Sequence, residues 1–108
     1  MVTVIFRAYV KAGADMAAIE ALGKRMYELG SAMPGFVSYK EFGAADGETL
    51  TLVEFETAEQ LAAWRNQPEH VAAQEHGRHE VFSSYRISVC EPRRQYRYSP
   101  AEGRVDEA

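Results

Sequence analysis

One segment of this sequence repeats its apolar residues at the spacing of a long amphipathic helix. The repeated residues are Met16, Ile19, Leu22, Met26, Leu29 and Met33. Steps of three and four place them on one face of a helix over about residues 14–32. Asp15 lies where a negative charge suits the helix dipole, and Pro34-Gly35 ends the helix. A helix with one apolar face needs a second layer, so the flanking segments decide the fold.

Four other segments have the composition and alternation of β-strands, namely residues 2–10, 36–42, 48–56 and 81–91. Asp46-Gly47 is a turn signal that joins the second and third of them as a hairpin. In the first strand, Phe6 and Arg7 point to opposite faces. Neither face of that strand is wholly polar, so we expect the sheet to be covered on both sides.

The segment over residues 57–85 contains the only tryptophan, the only asparagine and all three histidines of the chain. These are Trp64, Asn66, His70, His76 and His79. Thr57 and Gln60 have the spacing of a capping box, in which the hydroxyl accepts the N3 amide and the glutamine side chain reaches back. Pro68 suits the first turn of a second helix. We predict two short helices with a bend just before Pro68, the second ending near residue 80.

The predicted order of elements is β-α-β-β-α-β. Short connections and right-handed crossovers make this a ferredoxin-like α+β sandwich, with a four-stranded antiparallel sheet and both helical segments on one face. An identical subunit is the simplest cover for the other face, so we expect a homodimer. Residues 1–92 form the predicted domain. Residues 93–108 form a predicted C-terminal arm that is partly disordered or packed on the partner subunit.

Composition argues against several classes of function. The net charge of -4 gives no general attraction to nucleic acid or anionic lipid, and no apolar run is long enough to span a bilayer. No glycine-rich phosphate loop appears, so nucleotide binding has no support. Cys90 is the only cysteine, which fits a cytoplasmic location and rules out an internal disulfide.

The element order, the Met33-Pro34-Gly35-Phe36 turn and the run Trp64…Asn66-x-Pro68-Glu69-His70…Gly77-Arg78 resemble the antibiotic biosynthesis monooxygenase (ABM) domain. The resemblance covers about residues 2–92. It implies homodimers in which two sheets pack into an α/β barrel. It also implies that some members are cofactor-independent monooxygenases of anthrones or quinols, while others degrade haem. The oxygenases are expected to use an apolar, aromatic-lined pocket between helices and sheet, with neither metal nor flavin.

The resemblance implies roles for particular residues in that pocket. A deprotonated polycyclic phenol can itself give electrons to oxygen, so the protein needs a shaped pocket, a base and a place for the anion. His70 or His76 matches the base, and Trp64 matches the pocket wall. Apart from the resemblance, we predict substrate contacts from Phe6, Asn66, Arg78 and Tyr85, with Arg78 as partner of an anionic group and Tyr85 as hydrogen-bond donor to a phenolate. The haem-degrading branch needs an asparagine on strand one, which is missing here.

Most of these residues have a structural alternative. Trp64 is also a natural core residue of an amphipathic helix, and His70 could serve as a surface cap or polar contact. Arg78 could be a solvated charge or an ion pair in a dimer. His76 and His79 share a helix face but lack a third ligand, so a metal site is not expected.

Three functions are compatible with these patterns. The first is a small dimeric oxygenase that acts on an electron-rich aromatic molecule without a cofactor. The second is a dimer that binds haem or another flat hydrophobic ligand without turnover. The third is a non-catalytic structural dimer, in which the segment over residues 57–85 is only core and surface. Tight packing with no cavity in this region favours the third function over the other two.

Overall fold

The fold is a four-stranded antiparallel sheet with helices on one face, followed by a C-terminal hairpin. A computed structural model describes residues 1–107. The elements are β1 (Val2–Val10), α1 (Met16–Ser31), β2 (Phe36–Gly43), β3 (Thr49–Phe55), α2 (Ala58–Arg65), α3 (Pro68–His76), a π-helical turn (Gly77–Val81), β4 (Phe82–Cys90), β5 (Gln95–Ser99) and β6 (Gly103–Glu107). No helix in this part of the chain is long and apolar enough to cross a membrane.

The sheet has the strand order β2-β3-β1-β4, and all neighbouring strands are antiparallel. The hairpin partners β2 and β3 lie side by side, while α1 and the α2–α3 pair carry the chain across the sheet. The predicted ferredoxin-like α+β fold is therefore confirmed, and so is the bend before Pro68 that separates α2 from α3. Assembly into a dimeric barrel stays a prediction.

Strand register determines which side chains share each face of the sheet. Phe6 lies opposite Thr51 on β3 and opposite Ile87 on β4, and directly opposed residues point to the same face. Val53, two residues from Thr51, is buried in one cluster with Trp64 of α2. These residues therefore lie on the side of the helices, which we call the helix-side face. The opposite side is the helix-free face.

The core lies between the helix-side face and α2. Its most buried members are Val2, Val53, Phe55, Leu61 and Trp64, and Phe55 is fully buried. Burying an apolar side chain of this kind contributes about 1.5–3 kcal/mol. From the apolar stripe of α1, Met26 is buried, whereas Met16 at its start stays exposed. The spacing thus identified the packed face of the helix but not how far the packing extends.

Side chains cap the first two helix starts, at Thr57 as predicted and at Asp15, where only a favourable charge was expected. The Asp15 carboxylate accepts from the backbone N–H of Ala18 at 3.1 Å, and the Thr57 hydroxyl accepts from that of Gln60 at 3.2 Å. The Gln60 side chain does not return to Thr57, because its Oε1 has no hydrogen-bond partner. It lies against Gly35 instead, where a Cβ would be 1.9 Å from Oε1. Gly35 also has φ +83°, so only glycine suits this position.

The second helical segment ends earlier than predicted, in a π-helical turn at Gly77–Val81. Gly77 is a poor residue for a helix interior. Its missing side chain admits the ring of Phe82, since a Cβ there would lie 3.0 Å from that ring. At the end of the turn, the carbonyl of Val81 accepts from the amide of Lys11 at 2.8 Å. This bond sets the start of β4 beside β1.

The C-terminal segment contains strands that the sequence analysis missed. β5 and β6 pair as a hairpin whose turn covers residues 100–102, and Gly103 directly after the turn has φ +68°. The Tyr96 ring packs with the guanidinium groups of Arg94 and Arg104, at 5.3 and 4.2 Å from the ring centroid. Two five-residue strands, of which only β5 alternates tyrosine with polar residues, are too short a pattern to indicate pairing by themselves. The domain boundary near residue 92 stays a prediction.

The helix-free face carries apolar and charged side chains together. Ile5, Leu50 and Leu52 are only half-buried there. Arg7 donates to Glu48 at 3.0 Å, and an open concavity of about 280 Å³ lies beside this pair. Neighbouring half-buried leucine and isoleucine side chains on a sheet face are typical of a surface that takes part in an interaction.

Candidate functional site

Two groups of rings lie next to each other on the helix-side face. The closed cluster consists of Tyr39, Phe55, Trp64 and His70, and the open cluster consists of Phe6, Phe82 and Tyr85. Val4 packs against the core that contains Trp64, and Phe6 follows it by two residues on the same strand. The clusters are therefore neighbours along β1. Four of the residues predicted for the site fall into them, two in each.

Trp64 is the centre of the closed cluster. Its ring stacks on His70 with centroids 4.2 Å apart and on Phe55 at 5.7 Å, and Tyr39 meets it edge-on at 6.4 Å. Only 6% of the residue is exposed. The structural alternative for Trp64 is therefore confirmed: it is a core residue.

His70 lies in the first turn of α3, where Pro68 begins the helix and the Gln67 side chain accepts from the His70 amide at 2.9 Å. Its ring is more than half buried against Trp64. Burial lowers the pKa of His70 below its ordinary value of 6.5, and nearby main-chain groups of Arg65 and Trp64 oppose this only in part. The imidazole is therefore neutral at pH 7 and able to accept a proton.

An ion pair joins α3 to α1 beside His70. Arg25 of α1 donates through both Nε and Nη2 to the carboxylate of Glu69, with Nη2 2.9 Å from Oε1. The arginine lowers the pKa of Glu69. Both groups are exposed, so the pair orients the start of α3 more than it stabilises the fold.

Three buried side-chain polar atoms have no hydrogen-bond partner within residues 1–107. They are Trp64 Nε1, His70 Nδ1 and Gln60 Oε1. The indole nitrogen faces Gly30, where a Cβ would lie only 3.1 Å away. Leaving such a group unpaired costs about 1–3 kcal/mol. Unpaired buried groups are few in native proteins, so the two in the closed cluster, Trp64 Nε1 and His70 Nδ1, mark this region as a candidate for chemistry.

Tyr39 completes the closed cluster from β2. Burial, with a smaller effect from Glu41, raises the pKa of Tyr39 to about 12. The phenol therefore keeps its proton at neutral pH and stays uncharged against the indole. It contributes an edge-on aromatic contact rather than a second base.

The open cluster is built from one residue of β1 and two residues in the first half of β4. Phe6 stacks on Tyr85 with centroids 5.6 Å apart and meets Phe82 edge-on at 5.3 Å. Phe82 is a site residue that the sequence analysis missed. Its only sequence signal is an aromatic residue at a strand start, five residues after Gly77. An aromatic residue in this position is equally typical of a packed side chain and of a ligand-binding one.

The helices leave the helix-side face of β4 uncovered beyond the open cluster. Register places Tyr85, Ile87 and Val89 on this face, opposite Ala8, Phe6 and Val4. Their exposed fractions are 40%, 49% and 54%. Contiguous apolar side chains at this exposure mark a binding surface more often than an ordinary monomer surface.

Arg78 lies at the edge of the open cluster. The π-helical turn directs it to β4, where its Nε donates to the Tyr85 hydroxyl at 3.3 Å and its Nη1 donates to Glu75 at 3.2 Å. The Tyr85 hydroxyl, followed by the charge of Glu75, raises the pKa of Arg78. π-Helical turns occur often at functional sites, and this one brings a cation to an aromatic surface.

The remaining predicted site residues lie outside both clusters. Asn66 is exposed and caps the C-terminal end of α2 through its backbone. His76 is exposed at the end of α3. His79 forms an exposed contact with Glu75, 3.4 Å from Nε2 to Oε2. Within residues 1–107 no group of three or more metal-ligating side chains comes together.

A larger concavity lies away from the rings. It measures about 440 Å³ and separates the base of the C-terminal hairpin from the start of α2. Charged residues line it, including Glu59, Glu91 and Arg93. Neither this concavity nor the one on the helix-free face is lined by Trp64 or His70. The pocket wall expected at Trp64 therefore faces neither concavity, and the accessible aromatic surface is the open cluster instead.

Comparison with known sequences gives one family. Residues 1–76 match the family described as antibiotic biosynthesis monooxygenase. Among curated proteins, the chain is similar to the uncharacterized protein YqjZ of Bacillus subtilis, with 33% identity over 72 residues. The matched region covers 67% of this chain and 63% of YqjZ, so it spans less than two thirds of that relative.

Comparison with solved structures gives the same fold. Rv0793 from Mycobacterium tuberculosis aligns with a TM-score of 0.74 and 24% identity, over 84% of this chain and 93% of that one. SnoaB, a cofactor-independent oxygenase from Streptomyces nogalater, aligns with a TM-score of 0.73 and 17% identity, over 87% and 94%. Identities this low establish the shared fold alone.

Proposed function

Since this chain belongs to the antibiotic biosynthesis monooxygenase family, we propose that it is a cofactor-independent monooxygenase of an electron-rich aromatic compound. The proposed substrate is of the quinol or anthrone type, and the oxidant is O2. The observation that carries the proposal is His70, a neutral and partly buried imidazole with an unpaired Nδ1, stacked on Trp64. SnoaB, a structural relative, is a cofactor-independent oxygenase.

In this proposal His70 is the base, Trp64 holds its ring in place, and the open cluster binds the substrate. His70 accepts the hydroxyl proton of the enol form of an anthrone, and the anion gives one electron to O2. The two radicals then form a carbon–oxygen bond, and a proton completes a hydroperoxide. Loss of water leaves the quinone carbonyl. One oxygen atom enters the product, and the other leaves as water, whose hydrogens are the remaining hydrogen of the oxidised carbon and the proton that completed the hydroperoxide.

Oxygen uptake with dithranol, an anthrone, and with a panel of hydroquinones tests this proposal. We expect uptake above the spontaneous rate, and a roughly 100-fold lower kcat/KM in His70→Ala, since a general base contributes about 10²–10⁴-fold. His76→Ala is the matched control, because His76 is an exposed histidine of the same helix. The proposal fails if the wild type never exceeds the spontaneous rate, or if both variants lose activity equally.

We also propose that two copies pair through the helix-free face and that the C-terminal arm, residues 93–108, lies on the partner. Half-buried Ile5, Leu50 and Leu52 support the first contact, and exposed Tyr96 and Tyr98 support the second. Light scattering at micromolar concentration should give twice the 12.1 kDa chain mass, and Leu52→Glu should give a single chain. A single-chain mass for the wild type would rule out the dimer.

A cytoplasmic location is part of the same proposal. The chain's only cysteine, Cys90, is free and exposed, as expected where thiols stay reduced.

A further inference from the structure

The hydroxyl of Tyr85 has a hydrogen to donate. Because it accepts the Nε–H of Arg78 at 3.3 Å, its own hydrogen must point elsewhere. Of the side-chain hydrogen bonds formed within residues 1–107, Tyr85 takes part only in this one. The residue is 40% exposed, so the free O–H lies at the surface of the open cluster.

Arg78 also has unused donors at the same place. Its Nε donates to Tyr85 and its Nη1 to Glu75, and Nη2 makes no side-chain hydrogen bond in the described part of the chain. Both Arg78 and Glu75 have exposed side chains. Another anion can therefore easily replace Glu75 as the partner of Arg78. Arg78 and Tyr85 together offer N–H and O–H groups suited to two carboxylate oxygens.

An apolar surface begins directly beside these donors. Tyr85 has Phe6 stacked behind it, and Ile87 and Val89 continue the exposed strip along β4. A flat ring system can lie on this strip while its acidic group meets Arg78. Charge alone would not select such a ligand, and neither would apolar surface alone.

We propose that Arg78 and Tyr85 bind the acidic group of an aromatic carboxylate whose rings lie on the open cluster. This inference deepens the proposed oxygenase function and rests on it for the identity of the reaction. Arg78 follows His70 by eight residues, which is roughly 12 Å along a helix. A fused-ring acid whose carboxylate is bound at Arg78 can therefore extend toward His70. In this orientation the carbon that reacts lies at the end of the molecule opposite the carboxylate.

A matched pair of fluorescent ligands tests the proposal without turnover. The probes are 9-anthracenecarboxylate and 9-anthracenecarboxamide, which share their rings and differ in charge. We expect the wild type to bind the carboxylate roughly tenfold more tightly by fluorescence anisotropy at 0.15 M salt, as for one charge-assisted contact. Arg78→Met should remove this preference, and Tyr85→Phe should reduce it to roughly threefold. Arg65→Met, at another exposed arginine, should leave it unchanged.

Several results would overturn the proposal. They are a wild type that binds neither probe or prefers the amide, and an Arg78→Met variant that keeps the full preference. Circular dichroism confirms that each variant is folded, which is expected because Arg78 is exposed. His70→Ala should keep the carboxylate preference. If the wild type shows the preference but no oxygen uptake, the oxygenase proposal fails while the acid-binding site stands.

Discussion

The closed and open clusters lie against the same sheet face and consist mainly of aromatic residues, yet they differ in what covers them. Trp64 has two rings stacked on it and lies under α2, with 6% of its surface exposed. Tyr85 has one ring stacked on it and no helix above it, with 40% exposed. Aromatic identity therefore does not decide between a core and a binding surface. The position of the helices over the sheet decides it.

This difference assigns separate tasks to the two clusters. The closed cluster contributes folding free energy and holds His70 neutral beside the indole. The open cluster contributes little burial and keeps its ring faces and donors accessible. The predictions below test this division, beginning with the largest expected effect.

Removing the indole should cost far more stability than removing the Tyr85 ring. We expect Trp64→Ala to lower the free energy of unfolding by about 3–5 kcal/mol, as for a large aromatic in a packed core. Tyr85→Ala should lower it by less than about 1 kcal/mol, as for an exposed site. Urea denaturation measures both values. Equal losses in the two variants would show that the clusters do not differ in packing.

Adding a methyl group at glycines beside each cluster should change the stability by different amounts. In Gly30→Ala the new Cβ lies 3.1 Å from the indole nitrogen, and we expect a loss of about 1–2 kcal/mol from overpacking. In Gly77→Ala the Cβ lies 3.0 Å from Phe82, whose half-buried ring can shift, and we expect a change within about 0.5 kcal/mol.

Gly23→Ala is the control for the first of these variants, because Gly23 lies in the same helix with only an ordinary contact, 3.4 Å from Glu41. Thermal unfolding should show a gain of up to about 1 kcal/mol there from helix propensity. A Gly30→Ala protein as stable as Gly23→Ala would mean that the indole is loosely held.

His70 should make stability depend modestly on pH. Its pKa is lowered in the folded protein, so the unfolded chain binds more protons between that lowered pKa and 6.5. The contribution of His70 to the free energy of unfolding is complete above pH 6.5. It decreases as the pH falls from 6.5 to the lowered pKa, by at most about 1.4 kcal/mol per pH unit. His70→Gln should remove this slope and His76→Gln should retain it. Denaturation curves with the same slope in all three proteins would show that His70 is not desolvated.

Sequence patterns predicted the fold well because each element carries a local signal. The apolar spacing of α1, the Asp46-Gly47 turn and the cap at Thr57 act over a few residues and were visible without tertiary context. The exceptions were non-local. Gln60 turned away from its cap to fill the space above Gly35, and the π-helical turn formed where Gly77 meets Phe82. Neither contact produces a recognisable spacing of residues along the sequence.

The site was predictable by residue type but not by arrangement. Trp64 and His70 were identified together, yet only the structure shows that they stack and that the indole is buried. Tyr85 and Arg78 were also identified, but their hydrogen bond depends on the π-helical turn. His76 and Asn66 have side chains suited to the site and lie close to it in the sequence. Their positions on the helices nevertheless leave both residues exposed.

The division between the clusters is tested most directly by the affinity of 9-anthracenecarboxylate for two variants. Tyr85→Ser should weaken binding roughly tenfold, because it removes a ring platform and changes the donor geometry. Trp64→Phe should lower stability yet leave affinity within about twofold, since the indole is covered by its neighbours. If Trp64→Phe weakens binding as much as Tyr85→Ser, the indole belongs to the binding surface and the account is contradicted.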